Sequence, residues 1–285
     1  MAVSVKARVA GVVRIPWRSS MLLTLAGQRV CDALEETKGG VVEKLQYWVW
    51  LDEGTKREEV GPLMLEGIAP QLLESGLHGL IMDLDDEFAT IPSPVPAPEG
   101  EHTPQALVSL WVDCYDRRGP VEEILNQCAV RLEGYQVIES LYSDYGMAKW
   151  SAPRNWPDGQ RSPGILTVAT FDQLEGTDFE SWLRFWHDHQ SPMSEAIQPR
   201  CRYVRNWAVR PLNPSNRSLK AIVEEAWPSP EHVTDPHKFF LSDGDNDVLS
   251  ANVTTMLEHA EKLFDMNTMR SLTMSEWMLK TMRGS

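Results

Sequence analysis

Apolar and polar positions alternate in short bursts along this chain, and the bursts are spaced by stretches of helical periodicity. Residues 44–51 (K-L-Q-Y-W-V-W-L), 77–83, 107–115 and 135–142 read as strands, rich in β-branched and aromatic side chains. Between the first two, Val60, Leu63, Met64, Ile68 and Leu72 recur at helical spacing over 56–75. Pro120 opens a short helix, with Val121, Ile124, Leu125 and Cys128 on one side. The order strand–helix–strand–strand–helix–strand then repeats. Residues 165–171, 202–210, 220–227 and 271–279 are the second set of strands. T-D-F-E at 177–180 predicts a capping box, and Phe179, Trp182, Leu183 and Trp186 share the face of the helix that follows. Ser191 and Pro192 predict a kink or restart of that helix. Leu249, Val253, Met256, Leu257, Ala260, Leu263 and Phe264 mark the longest amphipathic helix.

Each β-α-β-β-α-β set is a ferredoxin-like unit, an antiparallel sheet with helices on one face. The bare sheet faces must be covered. Two units in one chain solve this by turning those faces together, so the expected fold is α+β, a barrel with helices outside. The expected organisation is a leader at 1–40, a first repeat at 41–145, a linker at 146–163 and a second repeat at 164–285. W-P-D-G at 156–159 supplies a turn in the linker, and five prolines over 92–105 predict a long surface loop, mobile or functionally placed.

Composition narrows the function classes. A formal net charge of −14 with no basic stripe argues against nucleic acid and anionic membranes as partners. No run reaches the ~18 apolar residues of a membrane span. Cys31, Cys114, Cys128 and Cys201 form no C-x-x-C pair; Cys114 and Cys128, in apolar-patterned segments, read as reduced buried thiols, which implies a reducing, cytoplasmic setting. The first 31 residues carry no acid but five basic groups; they read as a transit peptide or, preferably, a disordered leader upstream of a start at Met21. The Asp83–Glu87 acidic stretch lacks the spacing of a calcium loop and reads as a solvated strand end. No Gly-rich phosphate loop, serine elbow or zinc-protease motif is present.

The densest chemistry lies between Trp182 and Trp227. Phe179, Trp182, Trp186, His187 and His189 form F-x-x-W-x-x-x-W-H-x-H; Glu195, R-Y-V-R-N at 202–206, I-V-E-E-A-W-P-S at 222–229 and D-P-x-x-F-F at 235–240 follow. This set resembles the EthD-domain proteins of the dimeric α+β barrel superfamily over residues 163–280; the first half shares only the fold pattern. The resemblance implies a barrel and a homodimer, and a range of activities that includes cyclases, isomerases, dehydratases, decarboxylases and haem-using oxidases.

Three functional readings follow. The first is a cofactor-independent enzyme acting by lyase, isomerase or cyclase chemistry on a small apolar or aromatic oxygenated metabolite inside the barrel. His187 or His189 carries the proton, since imidazole titrates near neutrality. Tyr203, Arg205 and Asn206 orient an oxygen, with Tyr203 the alternative proton carrier. Trp182, Trp186 and Trp227 wall the site, Glu224 and Glu225 complete it, and Trp111 and Asp113 approach from the first half. Strand alternation lets only one of the sets Tyr203/Arg205/Trp207 and Val204/Asn206/Ala208 face inward, and likewise only one of Glu224 and Glu225. The second reading is a non-catalytic binding barrel in which the same residues serve packing. The third is a haem-dependent oxidase or peroxidase with His187 or His189 as ligand. A metal held by both histidines is disfavoured, because positions two apart on a helix point about 200° apart.

Overall fold

In the first β-strand, Glu43–Trp50 (β1), every residue after Glu43 is buried. The strand is covered on both sides, and its two faces have different neighbours. Leu45, Tyr47 and Val49 pack with Val60, Met64, Ile68, Leu72, Val121 and Leu125 of the helices. Trp48 and Trp50 pack with Leu107, Tyr135, Val168, Ile222 and Met274 of other strands. One face looks outward to helices and the other into a barrel.

The computed structural model describes residues 42–95, 97–98, 100–213, 216 and 219–282. The expected leader at 1–40 lies outside the described residues. The remaining strands are Gly79–Leu84 (β2), Ala106–Val112 (β3), Arg131–Ser143 (β4), Ile165–Phe171 (β5), Arg202–Pro211 (β6), Ala221–Trp227 (β7) and Arg270–Lys280 (β8). They form a closed barrel in the order β1-β3-β2-β8-β5-β7-β6-β4, antiparallel throughout. The first four strands are contiguous as β4-β1-β3-β2 and the last four as β8-β5-β7-β6. The β2–β8 and β4–β6 pairings close the ring within one chain. Closure leaves no unpaired sheet edge, a general hazard of antiparallel sheets.

Helices connect the strands. A helical run over 57–74 (α1) joins β1 to β2, and Gly119–Leu125 (α2) precedes β4. A run over 179–197 (α3) joins β5 to β6. Glu231–Thr234 (α4), Pro236–Phe239 (α5) and Asn246–Leu263 (α6) lie between β7 and β8. Among the described residues no helix is long and apolar enough to cross a membrane.

Both α1 and α3 contain a wide π-helical turn, Pro62–Ile68 in one and Trp186–Gln190 in the other. Each is followed by a proline two residues later, at Pro70 and Pro192. Proline lacks an amide and its ring collides with the carbonyl four residues back. Bonding to the fifth residue instead, as Ala69 N–H to Met64 O and Ser191 N–H to Trp186 O do, opens the turn before the proline. The expected restart at Ser191 is therefore a continuous helix with a widened turn, and the Ser191 hydroxyl donates back to Trp186 O at 2.8 Å. The cap of α3 also differs from expectation. Asp178, not Thr177, accepts from Ser181 N–H at 3.0 Å.

The second half packs its outer layer from Phe171, Trp182, Trp186, Tyr203, Val223, Ala260, Leu263 and Phe264. Burying each large apolar side chain of this kind contributes about 1.5–3 kcal/mol. The connection from β4 to β5 turns into β5 at Gly164, whose φ is +79°. A Cβ there would lie 2.0 Å from Trp227 O, so only glycine lets β5 start against β7.

Candidate functional site

The polar residues anticipated for a single site divide between two places. Alternation along β6 and β7 sends Asn206 and Glu224 into the barrel. It sends Tyr203, Arg205, Glu225 and Trp227 outward beneath the helices of the second half.

Inside the barrel, Glu224 anchors a charged cluster. Gln46 Nε2 and Asn206 Nδ2 donate to Glu224 Oε1 at 2.7 and 2.9 Å, and Gln46 Nε2 also reaches Ser109 Oγ at 2.9 Å. Lys44 Nζ donates to Asn206 Oδ1 at 2.9 Å and pairs with Glu139 at 2.5 Å, with its ammonium 4.9 Å from the Trp111 ring centre. Arg202 pairs with Glu276 at 2.8 Å and stands 3.5 Å from Glu224, while Tyr145 donates to Glu276 Oε2 at 2.9 Å. Burial favours a neutral Glu224, but Lys44 and Arg202 outweigh it and hold its carboxyl below the usual range. Asp83 is the exception. It sits directly opposite Glu276 in the β2–β8 register, and neither of its oxygens has a hydrogen-bond partner among the described residues. Burial, with the Glu224 and Glu276 charges, pushes its carboxyl well above the ordinary range, so Asp83 is held as the neutral acid.

Outside the barrel, between the β5–β7 face and the helices α3 to α6, lies a cavity of about 470 Å³. Trp186, Phe171, Trp227, Phe239, Met256 and Phe264 form much of its apolar wall, and Phe239 stacks on Trp227 with ring centres 4.8 Å apart. Its polar corner joins α3 to β7. Arg200 donates to Glu225 Oε1 and to Ser194 Oγ, both at 2.7 Å, and lies 3.9 Å over the Tyr203 ring. Gln190 also lines the cavity, and its carbonyl oxygen has no partner among the described residues. An apolar chamber with a few convergent polar groups is the usual form of a small-molecule site.

The anticipated residues are placed as follows. Trp186, Glu225 and Trp227 line the cavity. Trp182 is fully buried behind them, donating its indole N–H to Leu263 O at 2.7 Å. Tyr203 accepts the Trp186 indole N–H at 3.2 Å from below. Arg205 donates to Ser191 Oγ at 2.8 Å and Ser140 Oγ at 2.7 Å, tying α3 to β4. His187 and His189 are not among the cavity's lining residues. The widened turn is the reason: it carries the buried face from Trp186 to Gln190 and Ser191, and leaves His189 exposed against Phe185. Burial beside the Arg205 guanidinium pulls the His187 imidazole down to about 4. Trp111 lies in the barrel, and Asp113 is at the surface, 2.6 Å from His78. The site expected inside the barrel is thus split, with the larger cavity outside it.

The haem reading needs a ligand on the cavity wall. The lining of this cavity holds Gln190 where α3 faces it and no histidine, so neither His187 nor His189 is placed to ligate a haem there. No group of residues suited to a metal ion occurs among the described residues.

Arg200, Gln190, Ser194, Phe239 and Phe240 were not anticipated as site residues, although Phe239 and Phe240 belong to the D-P-x-x-F-F pattern. The π turn that aims Gln190 inward is signalled only by Pro192 six residues after Trp186.

The chain matches no family model and no curated protein. It is similar to several solved structures at low identity. An anthrone oxidase-like protein aligns with a TM-score of 0.49 at 8% identity, over 87% of this chain and 97% of that one. A protein from Lactobacillus acidophilus assigned as a monooxygenase gives 0.45 at 10% identity, over 84% and 97%. A chlorite dismutase variant from Candidatus Nitrospira defluvii gives 0.43 at 8% identity, over 86% and 94%.

Proposed function

We propose that this chain binds a small, flat, largely apolar metabolite carrying an oxygen function, in the cavity between β5–β7 and helices α3–α6. The observation that carries the reading is the cavity's own make-up, an aromatic chamber of about 470 Å³ with one part-buried ion pair, Arg200–Glu225, at its edge. The aromatic walls supply affinity and the polar corner supplies orientation. Tandem ferredoxin-like units are supported by the shared fourth-first-third-second strand order of the two halves, and EthD kinship by the W-H-x-H and D-P-x-x-F-F patterns. That kinship implies a homodimer, which sedimentation tests.

Proton-transfer chemistry of the lyase, isomerase or cyclase kind is the second reading. Glu225 favours it, as the one carboxylate among the lining residues. In that reading Glu225 moves the proton and Arg200, hydrogen-bonded to it, steadies the oxygen on which charge develops.

The test is titration of the full chain with 1-naphthol, a bicyclic probe with one hydroxyl, followed by calorimetry. Leu257 lines the cavity and is 47% exposed, so Leu257→Trp narrows the entrance without entering the core. A saturable signal that weakens about tenfold or more in this variant supports the site. Equal affinities in both proteins place the probe elsewhere and refute it. Turnover of a carbonyl metabolite lost in Glu225→Gln with binding retained separates the enzyme from the binding protein.

A further inference from the structure

We infer that the mouth of the barrel is a second ligand site, built for a small neutral hydroxylated ring. This inference is independent of the cavity under the helices; Ser271 is the one residue that lines both.

The opening holds about 250 Å³. At ~30 Å³ per water that is on the order of eight waters, the scale of one six-membered ring with its hydroxyls. Its wall comes from the inward positions of several strands, Trp48 and Trp50 on β1, Glu133 and Tyr135 on β4, Thr170 on β5. Its roof is the second part of the proline-rich segment, including His102 and Pro104. That roof is fastened down. The Trp50 indole N–H donates to His102 O at 2.8 Å, and Leu51 N–H donates to the Gln105 side chain at 2.8 Å. Prolines restrict the unfolded backbone and lower the entropy cost of holding such a roof in place.

The charges around the mouth are already matched, and this decides the ligand class. Arg131 Nε donates to Glu133 Oε1 at 3.0 Å, and Arg270 lies 3.6 Å from Glu101. A charged ligand would compete with these part-exposed pairs, whereas a neutral one leaves them in place. The surface that remains is aromatic area with hydroxyl-sized polar contacts. Arg131 covers one face of Trp50 at 4.2 Å, and the indole N–H is committed to the roof, so Trp50 offers ring surface. Glu133, nine-tenths buried, accepts from the Tyr135 hydroxyl at 3.2 Å, and the Thr170 hydroxyl lies in the same wall. A carboxylate, a phenol and an alcohol accept and donate to ligand hydroxyls, while an indole face covers ring C–H groups.

The experiment uses saturation-transfer NMR on the full chain with methyl α-D-glucopyranoside and myo-inositol. Phenol and inorganic phosphate serve as contrasting probes. Thr170→Val removes a hydroxyl at nearly constant shape, Glu133→Gln removes the charge, and Leu257→Trp perturbs only the other cavity. The expected result is saturable millimolar binding of a hydroxylated ring, weakened about tenfold in Thr170→Val and Glu133→Gln and unchanged in Leu257→Trp. Thr170→Val alone carries the comparison if Glu133→Gln unfolds. Absence of saturable binding up to ~50 mM, a preference for phosphate or phenol, or loss of binding in Leu257→Trp each overturns the inference.

Discussion

Asp83→Asn is the substitution for which the barrel interior makes its sharpest demand. Asp83 is wholly buried, opposite Glu276 across β2–β8, and no hydrogen bond reaches its carboxyl among the described residues. Glu276 is committed to Arg202 and Tyr145, and Glu224 to Lys44, Gln46 and Asn206. Lys44 and Arg202 are already shared among Glu139, Glu224 and Glu276, and Asp83, whose carboxyl has no hydrogen-bond partner among the described residues, keeps its proton. The unfolded chain releases that proton near pH ~3.9. Above that pH the folded state binds one proton more than the unfolded state, so stability falls as pH rises, by about 1.4 kcal/mol per unit. The fall continues until Asp83 ionises in the folded chain. Asparagine is neutral in both states and carries no such slope. Urea unfolding of both proteins at pH 5, 6 and 7 should show Asp83→Asn gaining on the wild type as pH rises, by at most about 1.4 kcal/mol per unit for as long as Asp83 keeps its proton in the folded chain. The constant part of the difference, from seating an amide in that position, cancels in the slope. Parallel profiles would falsify the assignment of a neutral Asp83, whatever the sign of the mean difference.

Other outcomes follow from the same packing. Arg200→Met strands Glu225 beside the cavity and should destabilise by about 3 kcal/mol, with Arg200→Met/Glu225→Gln recovering most of it in a double-mutant cycle; additive losses refute the pairing. Gly164→Ala places a Cβ against Trp227 O and should lower stability by more than ~2 kcal/mol, about 5 °C or more in Tm, measured by calorimetry. His187, held down to about 4 first by burial and then by Arg205, stays neutral in the folded chain while the unfolded chain protonates below its usual ~6.5. Its contribution is therefore lost as pH falls from ~6.5 toward 4, and an NMR titration showing its ring protonating near neutrality contradicts the packing.

The positions of all eight strands were readable from residue types, because β-branched and aromatic runs bounded by glycine and proline leave few alternatives. β4 ends at Ser143 and β5 begins at Ile165. The period-2 pattern gave the two faces of β6 as Tyr203/Arg205 and Val204/Asn206, but not which face was inside. In a sheet with one wet face, polarity answers that question. Here both faces are buried, one under helices and one in a barrel, and each carries polar groups whose partners are remote in the chain. Lys44 meets Asn206 and Glu224 only when β1 and the β6–β7 pair enclose the same interior. Sequence spacing also put His189 with Trp182 and Trp186, on the assumption of a regular helix. The π turn before Pro192 shifted that face to Gln190, and with it the chemistry of the cavity wall. Local residue types thus determined the strands and their order. Barrel closure and one widened helical turn decided which side chains share a site, because both depend on contacts between segments far apart in the chain.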